Sequence, residues 1–149
     1  MKLNPKFDGA THVNIYSKGS TWLGRELSNF TKCTLELPEG TFSSIEGYWF
    51  WLGTEDDRLK SLYGYEAKKL GSSLQQIYYL EDEDFKDRIK RAIDIKLDNN
   101  QELKQLLIKC PLPLEHYYYY GSIDSSPKVI DAGFKWLLEH FESYRVNKG

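Results

Sequence analysis

The sequence predicts an α+β fold in which several packed helices accompany a small sheet or hairpins. The 149 residues are 40% hydrophobic and 28% charged, which is typical of a globular chain able to bury one continuous core. Segments with helical periodicity outweigh segments that alternate like strands. Their order is mixed, whereas a parallel α/β sheet would need a regular strand–helix alternation. We therefore expect residues 1–149 to form a single domain.

The first third of the chain predicts a strand and a hairpin. Residues 12–16 alternate polar and apolar side chains, as a half-buried strand does, and residues 19–24 are typical of a turn. Residues 34–37 alternate again, Pro38-Glu39-Gly40 interrupts them, and Thr41-Phe42 resumes the pattern. This arrangement favours a hairpin.

A helix is predicted next, from Ser43 through Trp51 to an end near Gly53. Ser43 and Glu46 have the spacing of a capping box, in which each side chain bonds the backbone N–H of the other residue. Short helical stretches are predicted at 56–62 and at 66–70, the second of them ended by a glycine, Gly71.

The clearest helix covers residues 82–97, because acidic residues begin it and one apolar stripe continues along it. Asn100 can cap a following helix. Pro111 and Pro113 then prevent helix, so residues 114–120, which include four consecutive tyrosines, should be extended.

Ser126-Pro127 predicts the start of the last helix, since serine suits the N-cap and proline the first helical position. Ile130 and Phe134 would lie on its buried face, followed by Leu137, Leu138 and Phe141.

Charge and composition exclude several classes of protein. Twenty basic and 22 acidic residues give a net charge of −2, which disfavours a strongly basic nucleic-acid-coating domain. No apolar run reaches the ~20 residues that cross a bilayer, and residues 1–10 lack a signal-peptide core, so we expect a cytoplasmic protein with no membrane partner. Two cysteines and three scattered histidines predict no disulfide framework and no metal site.

Glu46 is the first candidate for chemistry. A carboxylate beside Tyr48, Trp49 and Trp51 would be partly desolvated, which suits general acid or base work. The same glutamate is also what a capping box requires, so both interpretations stay open here.

Aromatic residues form two runs, residues 48–51 and residues 117–120. Such runs either build an aromatic core or stack a planar ligand. On a helix, four consecutive rings point in all directions, so at least one ring of residues 48–51 must leave the buried stripe.

Several short blocks follow one another in a characteristic order over nearly the whole chain. They are Ile15-Tyr16-Ser17, Leu27-Ser28-Asn29-Phe30, the run from Ser43 to Phe50, Ala67 to Gly71, Lys96-Leu97, residues 102–108, Leu114-Glu115-His116, Tyr119-Tyr120-Gly121 and Gly133. This order resembles the YbiA-like superfamily, also called the NADAR family. In style the chain is similar to small members of that superfamily from tailed bacteriophages.

The resemblance implies an α+β fold with a cleft for a phosphoribosyl or ADP-ribosyl group, and it implies no metal or other cofactor. It also implies N-glycosidase activity: hydrolysis that releases a ribose-linked base or amine, including ADP-ribose attached to guanine in nucleic acid. For a phage protein, removal of ADP-ribose placed by a host toxin would be an anti-defence role.

Carried over to this chain, the resemblance assigns the catalytic role to Glu46, which matches the family's glutamate. Cleavage of a C1′–N bond develops oxocarbenium character and needs an anionic or covalent partner near C1′. The substrate-binding residues implied are Asn29, Phe30, Tyr48, Trp49, Tyr119, Tyr120 and Lys128. Of these, Trp49, Tyr119 or Tyr120 would stack the base.

The chain departs from the family pattern at several polar positions. The family's histidine after the glutamate is Gly47 here, its glutamine is Phe50, and a lysine further along falls at Gly53. These departures favour an alternative: a catalytically degenerate, non-enzymatic phage protein whose aromatic surface engages a host protein or a nucleotide ligand. A structural accessory without a pocket is the third possibility.

Overall fold

The computed structural model describes residues 3–78 and 82–146, and its helices and small sheets form an α+β fold, as the sequence predicts. The chain divides into two compact units. Unit 1 combines the segment that ends at Ser28 with the segment that begins at Glu102, and unit 2 is the continuous stretch from Asn29 to Gln101.

The α-helices, in chain order, are α1 (Trp22–Leu27), α2 (Ile45–Thr54), α3 (Gly64–Ser73), α4 (Glu83–Asp98), α5 (Gln101–Lys109) and α6 (Lys135–Val146). The strands are β1 (Val13–Asn14), β2 (Leu35–Leu37), β3 (Gly40–Phe42), β4 (Leu114–Glu115), β5 (Tyr117–Tyr120) and β6 (Lys128–Asp131). Short 3₁₀ helices occupy Pro5–Phe7 and Asp57–Ser61. No helix in this described part of the chain is long and apolar enough to cross a bilayer.

Unit 1 is held together by strands from distant parts of the sequence. β1 pairs in parallel with β4, and β5 pairs antiparallel with β6. The buried Asn14 side chain extends the first pairing, because its Nδ2 donates to the Tyr117 carbonyl and its Oδ1 accepts from the Tyr117 N–H, both at 3.0 Å. The Tyr117 hydroxyl lies 2.6 Å from Nε2 of the buried His12. The buried side chains of His12, Asn14 and Tyr117 thereby satisfy one another's polar groups, as burial requires.

Unit 2 is built on α2, which packs against α3, α4 and the 3₁₀ helix Asp57–Ser61. β2 and β3 form an antiparallel hairpin beside them. Within unit 2, two glycines allow the closest approaches between neighbouring segments. A Cβ at Gly47 would lie 2.6 Å from the Leu59 carbonyl oxygen, and a Cβ at Gly71 would lie 2.1 Å from Cγ of Phe50.

Several predicted elements are confirmed. The hairpin pairs Leu35 with Phe42, and the helix predicted over residues 82–97 is α4, which the Asp82 side chain caps. The extended tyrosine run is β5. Leu137 and Phe141 are buried on α6.

Other predictions at the ends of elements are wrong. Ser126-Pro127 does not begin a helix, because Lys128–Asp131 pairs with β5 as a strand and α6 starts only at Lys135. Ile130 is therefore an exposed strand residue, not part of a helix core. Gly71 does not end α3, which continues to Ser73, since this glycine serves close packing. Residues 19–24 are not simply a turn, because α1 begins at Trp22 with Thr21 as its cap.

Candidate functional site

Glu46 is the second residue of α2, and it takes no part in capping that helix. The cap is Ser44, whose Oγ accepts a hydrogen bond from the Gly47 N–H at 2.9 Å. Ser43 lies before the helix, where its N–H donates to the Lys60 carbonyl and its carbonyl accepts from the Cys33 N–H. The predicted Ser43–Glu46 capping box is therefore wrong, because the cap lies one residue later, at Ser44. A capping role does not explain the presence of Glu46.

The Glu46 carboxyl group lies in a partly buried position. Burial raises its pKa from the usual 4.5 to about 7, and the positive charge of Lys68 acts against this rise. Within residues 3–78 and 82–146, no group donates a hydrogen bond to this carboxylate. Both protonation states are thus populated near neutral pH, which is what general acid–base chemistry needs.

The structure brings Asn29 and Phe30 to Glu46. The Glu46 N–H donates to the Asn29 carbonyl at 2.9 Å. Lys68, on α3, interacts electrostatically with Glu46, and its Nζ lies 5.9 Å from the centre of the Phe30 ring. The Asn29 side-chain oxygen is buried and has no hydrogen-bond partner in the described part of the chain. Three residues that the sequence placed at the site therefore meet, together with a lysine that it did not.

Exposed aromatic rings continue from this cluster along the start of α3. The Gly64 N–H donates to the Phe30 carbonyl, and the neighbouring Tyr63 and Tyr65 are 48% and 69% exposed. Nζ of Lys32 lies 5.5 Å from the Tyr63 ring centre, within reach of a cation–π contact. No pattern in the sequence marks Lys32, Tyr63 or Lys68 as site residues. Lys32 reaches Tyr63, and Lys68 reaches Phe30, only through the packing of α3 and the residue before it.

The raised pKa of Glu46 predicts a pH-dependent stability. The folded chain keeps this proton up to about pH 7, whereas the unfolded chain loses it near 4.5, so the free energy of unfolding falls as pH rises between these values. Glu46→Gln should therefore raise the free energy of unfolding by on the order of 2 kcal/mol at pH 8 and change it little at pH 4. Urea unfolding at the two pH values measures this, and equal effects at both would contradict it.

Tyr48 and Trp49 have different surroundings from the cluster at Glu46. Tyr48 is 1% exposed, its hydroxyl donates to Glu39 Oε2 at 2.7 Å, and its ring meets Phe42 edge-on. Trp49 packs edge-on against Phe85, with ring centres 4.8 Å apart. Tyr48 is thus a core residue and is not part of the cluster at Glu46.

The positions at which this sequence departs from the YbiA-like pattern are used for packing. Gly47 faces the Leu59 carbonyl so closely that no side chain fits. Phe50 fills the space over Gly71, and the Gly53 carbonyl accepts hydrogen bonds from the N–H groups of Ile77 and Tyr78. All three positions therefore contribute to contacts that hold unit 2 together.

Tyr119, Tyr120 and Lys128 lie in unit 1, on the hairpin of β5 and β6. Tyr120 pairs with Lys128 and is 59% exposed. The Tyr119 hydroxyl donates to the Lys18 carbonyl at 3.2 Å, and its ring meets Tyr16 edge-on. The hairpin therefore presents an aromatic surface, and the roles assigned to these three residues stay predictions.

In the described ranges, no three His, Cys, Asp or Glu side chains are grouped so that they could hold a metal ion. The groups gathered around Glu46 are its own carboxyl group, the Lys68 ammonium group, the Asn29 amide and the Phe30 ring.

The two units together define an α+β fold of small hairpins and packed helices. Over 97% of its length the chain is similar to YbiA from Escherichia coli, whose solution structure it matches with a TM-score of 0.64 and 18% identity, covering 86% of that chain. At this identity the similarity is one of fold, and it confirms the predicted YbiA-like architecture. No protein-family model matches the chain, and no curated protein matches its sequence.

Proposed function

We propose that this chain is an N-glycosidase acting on ribosyl or ADP-ribosyl adducts, with Glu46 at the reacting centre. The observation that carries this proposal is the state of Glu46: partly buried, with no capping role and a pKa raised to about 7. A desolvated carboxyl group with a perturbed pKa is a candidate for a functional site. The YbiA-like fold and the NADAR-like order of sequence blocks support the same activity.

The cluster supplies the groups that such a reaction needs. As the C1′–N bond breaks, the ribose carbon gains positive charge, which the ionised Glu46 carboxylate stabilises while it accepts a proton from the attacking water. The departing amine takes a proton from solvent, so the products are the free base or amine and ADP-ribose. Lys68 offers its ammonium group to a phosphate, and Phe30 offers a ring face beside it.

The substrate class we propose includes ADP-ribose attached to guanine in nucleic acid. Lys32 beside Tyr63 and Lys68 beside Phe30 give the exposed rim both positive charge and aromatic faces. These are the features that bind phosphates and bases. If the chain is encoded by a phage, this activity in the host cytoplasm would remove ADP-ribose placed by a host toxin, an anti-defence role.

Turnover of a defined substrate tests the proposal. An oligonucleotide carrying one ADP-ribosylated guanine is incubated with the chain, and free ADP-ribose and unmodified oligonucleotide are measured by mass spectrometry. We expect equimolar release of the two products. Intact adduct after prolonged incubation with folded protein would contradict the proposal.

A second candidate is a non-enzymatic binder on the same scaffold, engaging a nucleotide ligand or a host protein. The observation that favours it is the loss of polar groups at Phe50 and Gly53, together with the exposed rings of Tyr63 and Tyr65. Binding of ADP-ribose without release of product would support this candidate over the enzyme.

A further inference from the structure

A cavity of about 400 Å³ lies in unit 2 beside the C-terminal half of α2 and the start of α4. Its volume is within the range of small-ligand sites. Trp51 and Leu52 from α2, Phe85 from α4 and Tyr78 form its apolar lining. Trp51 and Leu52 follow Glu46 by five and six positions, so at ~3.6 residues per turn they leave α2 on other faces than Glu46 does. The proposed glycosidase chemistry makes no use of this cavity.

The aromatic rings of the lining are held in place by contacts of their own. The Trp51 indole N–H donates to Asp57 Oδ1 at 2.9 Å, and its ring meets Phe42 edge-on. The Tyr78 hydroxyl donates to Glu55 Oε1 at 2.7 Å. Phe85 is buried. Fixed rings make a preformed surface, which reduces the entropy lost when a ligand binds.

The charged residues of the lining are Glu55, Asp82, Asp84 and Arg88. The Arg88 guanidinium is shared between Asp84, at 3.1 Å, and Glu39, at 3.3 Å, so its positive charge is already neutralised. Glu55 and Asp82 have no basic side chain within ion-pair distance in the described ranges. The cavity therefore carries an excess of negative charge.

Acidic and basic groups on the adjoining segments do not change this balance. Asp57 pairs with Lys60, and Glu83 pairs with Lys86. Lys60 lies over the Trp51 ring at 5.5 Å but does not line the cavity. Glu55 and Asp82 each accept one hydrogen bond, from Tyr78 and from the Phe85 N–H, and neither has an ion-pair partner in the described ranges. Carboxylates of this kind next to aromatic walls favour a positively charged ligand.

We infer that this cavity binds a small organic cation, an alkylammonium or alkylguanidinium ion. Its charged end meets the carboxylates of Glu55 and Asp82, and its carbon chain lies against Trp51 and Phe85. Aromatic faces attract such cations, and carboxylates form their strongest hydrogen bonds with them. A bare metal ion does not fit, because no metal-holding group of side chains exists in the described ranges.

The test is a titration with n-butylguanidinium, followed by tryptophan fluorescence and by the NMR signals of the Trp51 indole. The double variant Glu55→Gln, Asp82→Asn removes both charges while keeping the acceptor for Tyr78 and a good helix N-cap. We expect at least a tenfold rise in Kd for this variant. Glu83→Gln is the matched control on the same helix, since Glu83 is exposed and lies outside the cavity.

The neutral isostere n-butylurea separates charge recognition from apolar binding. We expect it to bind at least tenfold more weakly than n-butylguanidinium. The inference is overturned if the two compounds bind alike, if n-butylguanidinium does not bind, or if the double variant binds it as the wild type does while thermal unfolding shows both folded. The Glu46→Gln variant should bind the cation normally, so this inference and the glycosidase proposal fail independently.

Discussion

Glu46→Gln is expected to lower the rate of adduct hydrolysis by ~10²–10⁴-fold, the usual contribution of a positioned acid or base. Glutamine keeps the size and the hydrogen-bonding oxygen of the side chain but cannot carry the negative charge or take a proton. In the wild type, kcat/KM should rise as pH passes about 7, because the ionised carboxylate is the active form. Measuring product release against pH for both proteins checks the rate and the profile together.

The matched control is Glu66→Gln, which removes an exposed carboxylate from α3. It should leave kcat/KM within about twofold of the wild type. Thermal unfolding separates chemistry from folding, since the glutamine variant at position 46 should be at least as stable as the wild type at pH 8. Unchanged turnover in a folded Glu46→Gln variant would place the reacting group elsewhere.

Gly47→Ala is expected to destabilise the fold by about 2–4 kcal/mol. The added Cβ would lie 2.6 Å from the Leu59 carbonyl oxygen and 3.2 Å from that of Leu62. Both neighbours are backbone atoms, so relief requires a shift of the 3₁₀ helix away from α2, and such overpacking is costly. Urea unfolding monitored by tryptophan fluorescence measures the change.

The same contact predicts that a histidine, the residue of the YbiA-like sequence pattern, does not fit at this position. Gly47→His should destabilise unit 2 more than Gly47→Ala does and should not raise turnover. Lys69→Ala, an exposed change on α3, serves as the control and should stay within about 0.5 kcal/mol of the wild type. A stable and more active Gly47→His variant would contradict the packing seen here.

The hairpin of β2 and β3 and the helix α4 could be predicted from sequence because their signals are local. A turn tripeptide marks the hairpin, and an acidic first turn with one apolar stripe marks the helix. The start of α6 could not be predicted in this way. Ser126-Pro127 has the residue types of a helix start, but the pairing of Lys128–Asp131 with β5 makes the following residues a strand. Tertiary pairing overrides local preference at such positions.

The residues of the candidate site also divide into those marked by local sequence signals and those brought in by tertiary packing. Asn29, Phe30 and Glu46 could be named as candidates because they stand in recognisable blocks, and the structure brings them together. Lys68 stands out by no pattern in the sequence, and only the packing of α3 against α2 brings it near the Phe30 ring and the Glu46 carboxyl group. The capping interpretation of Glu46 needs Ser43 as the cap, whereas the cap is the next residue, Ser44. The sequence pattern alone does not decide which of two adjacent serines caps the helix.

The strand pairing of unit 1 has a consequence for folding during synthesis on the ribosome. Val13 in β1 pairs with Leu114 in β4, so this strand has no partner until all of unit 2 has been synthesised. Unit 2 is continuous and can complete its own contacts first. During this interval the edge of β1 and the apolar side chains around it are exposed, and such edges attract other chains. We expect nascent chains that stop before residue 114 to be the species that chaperones hold.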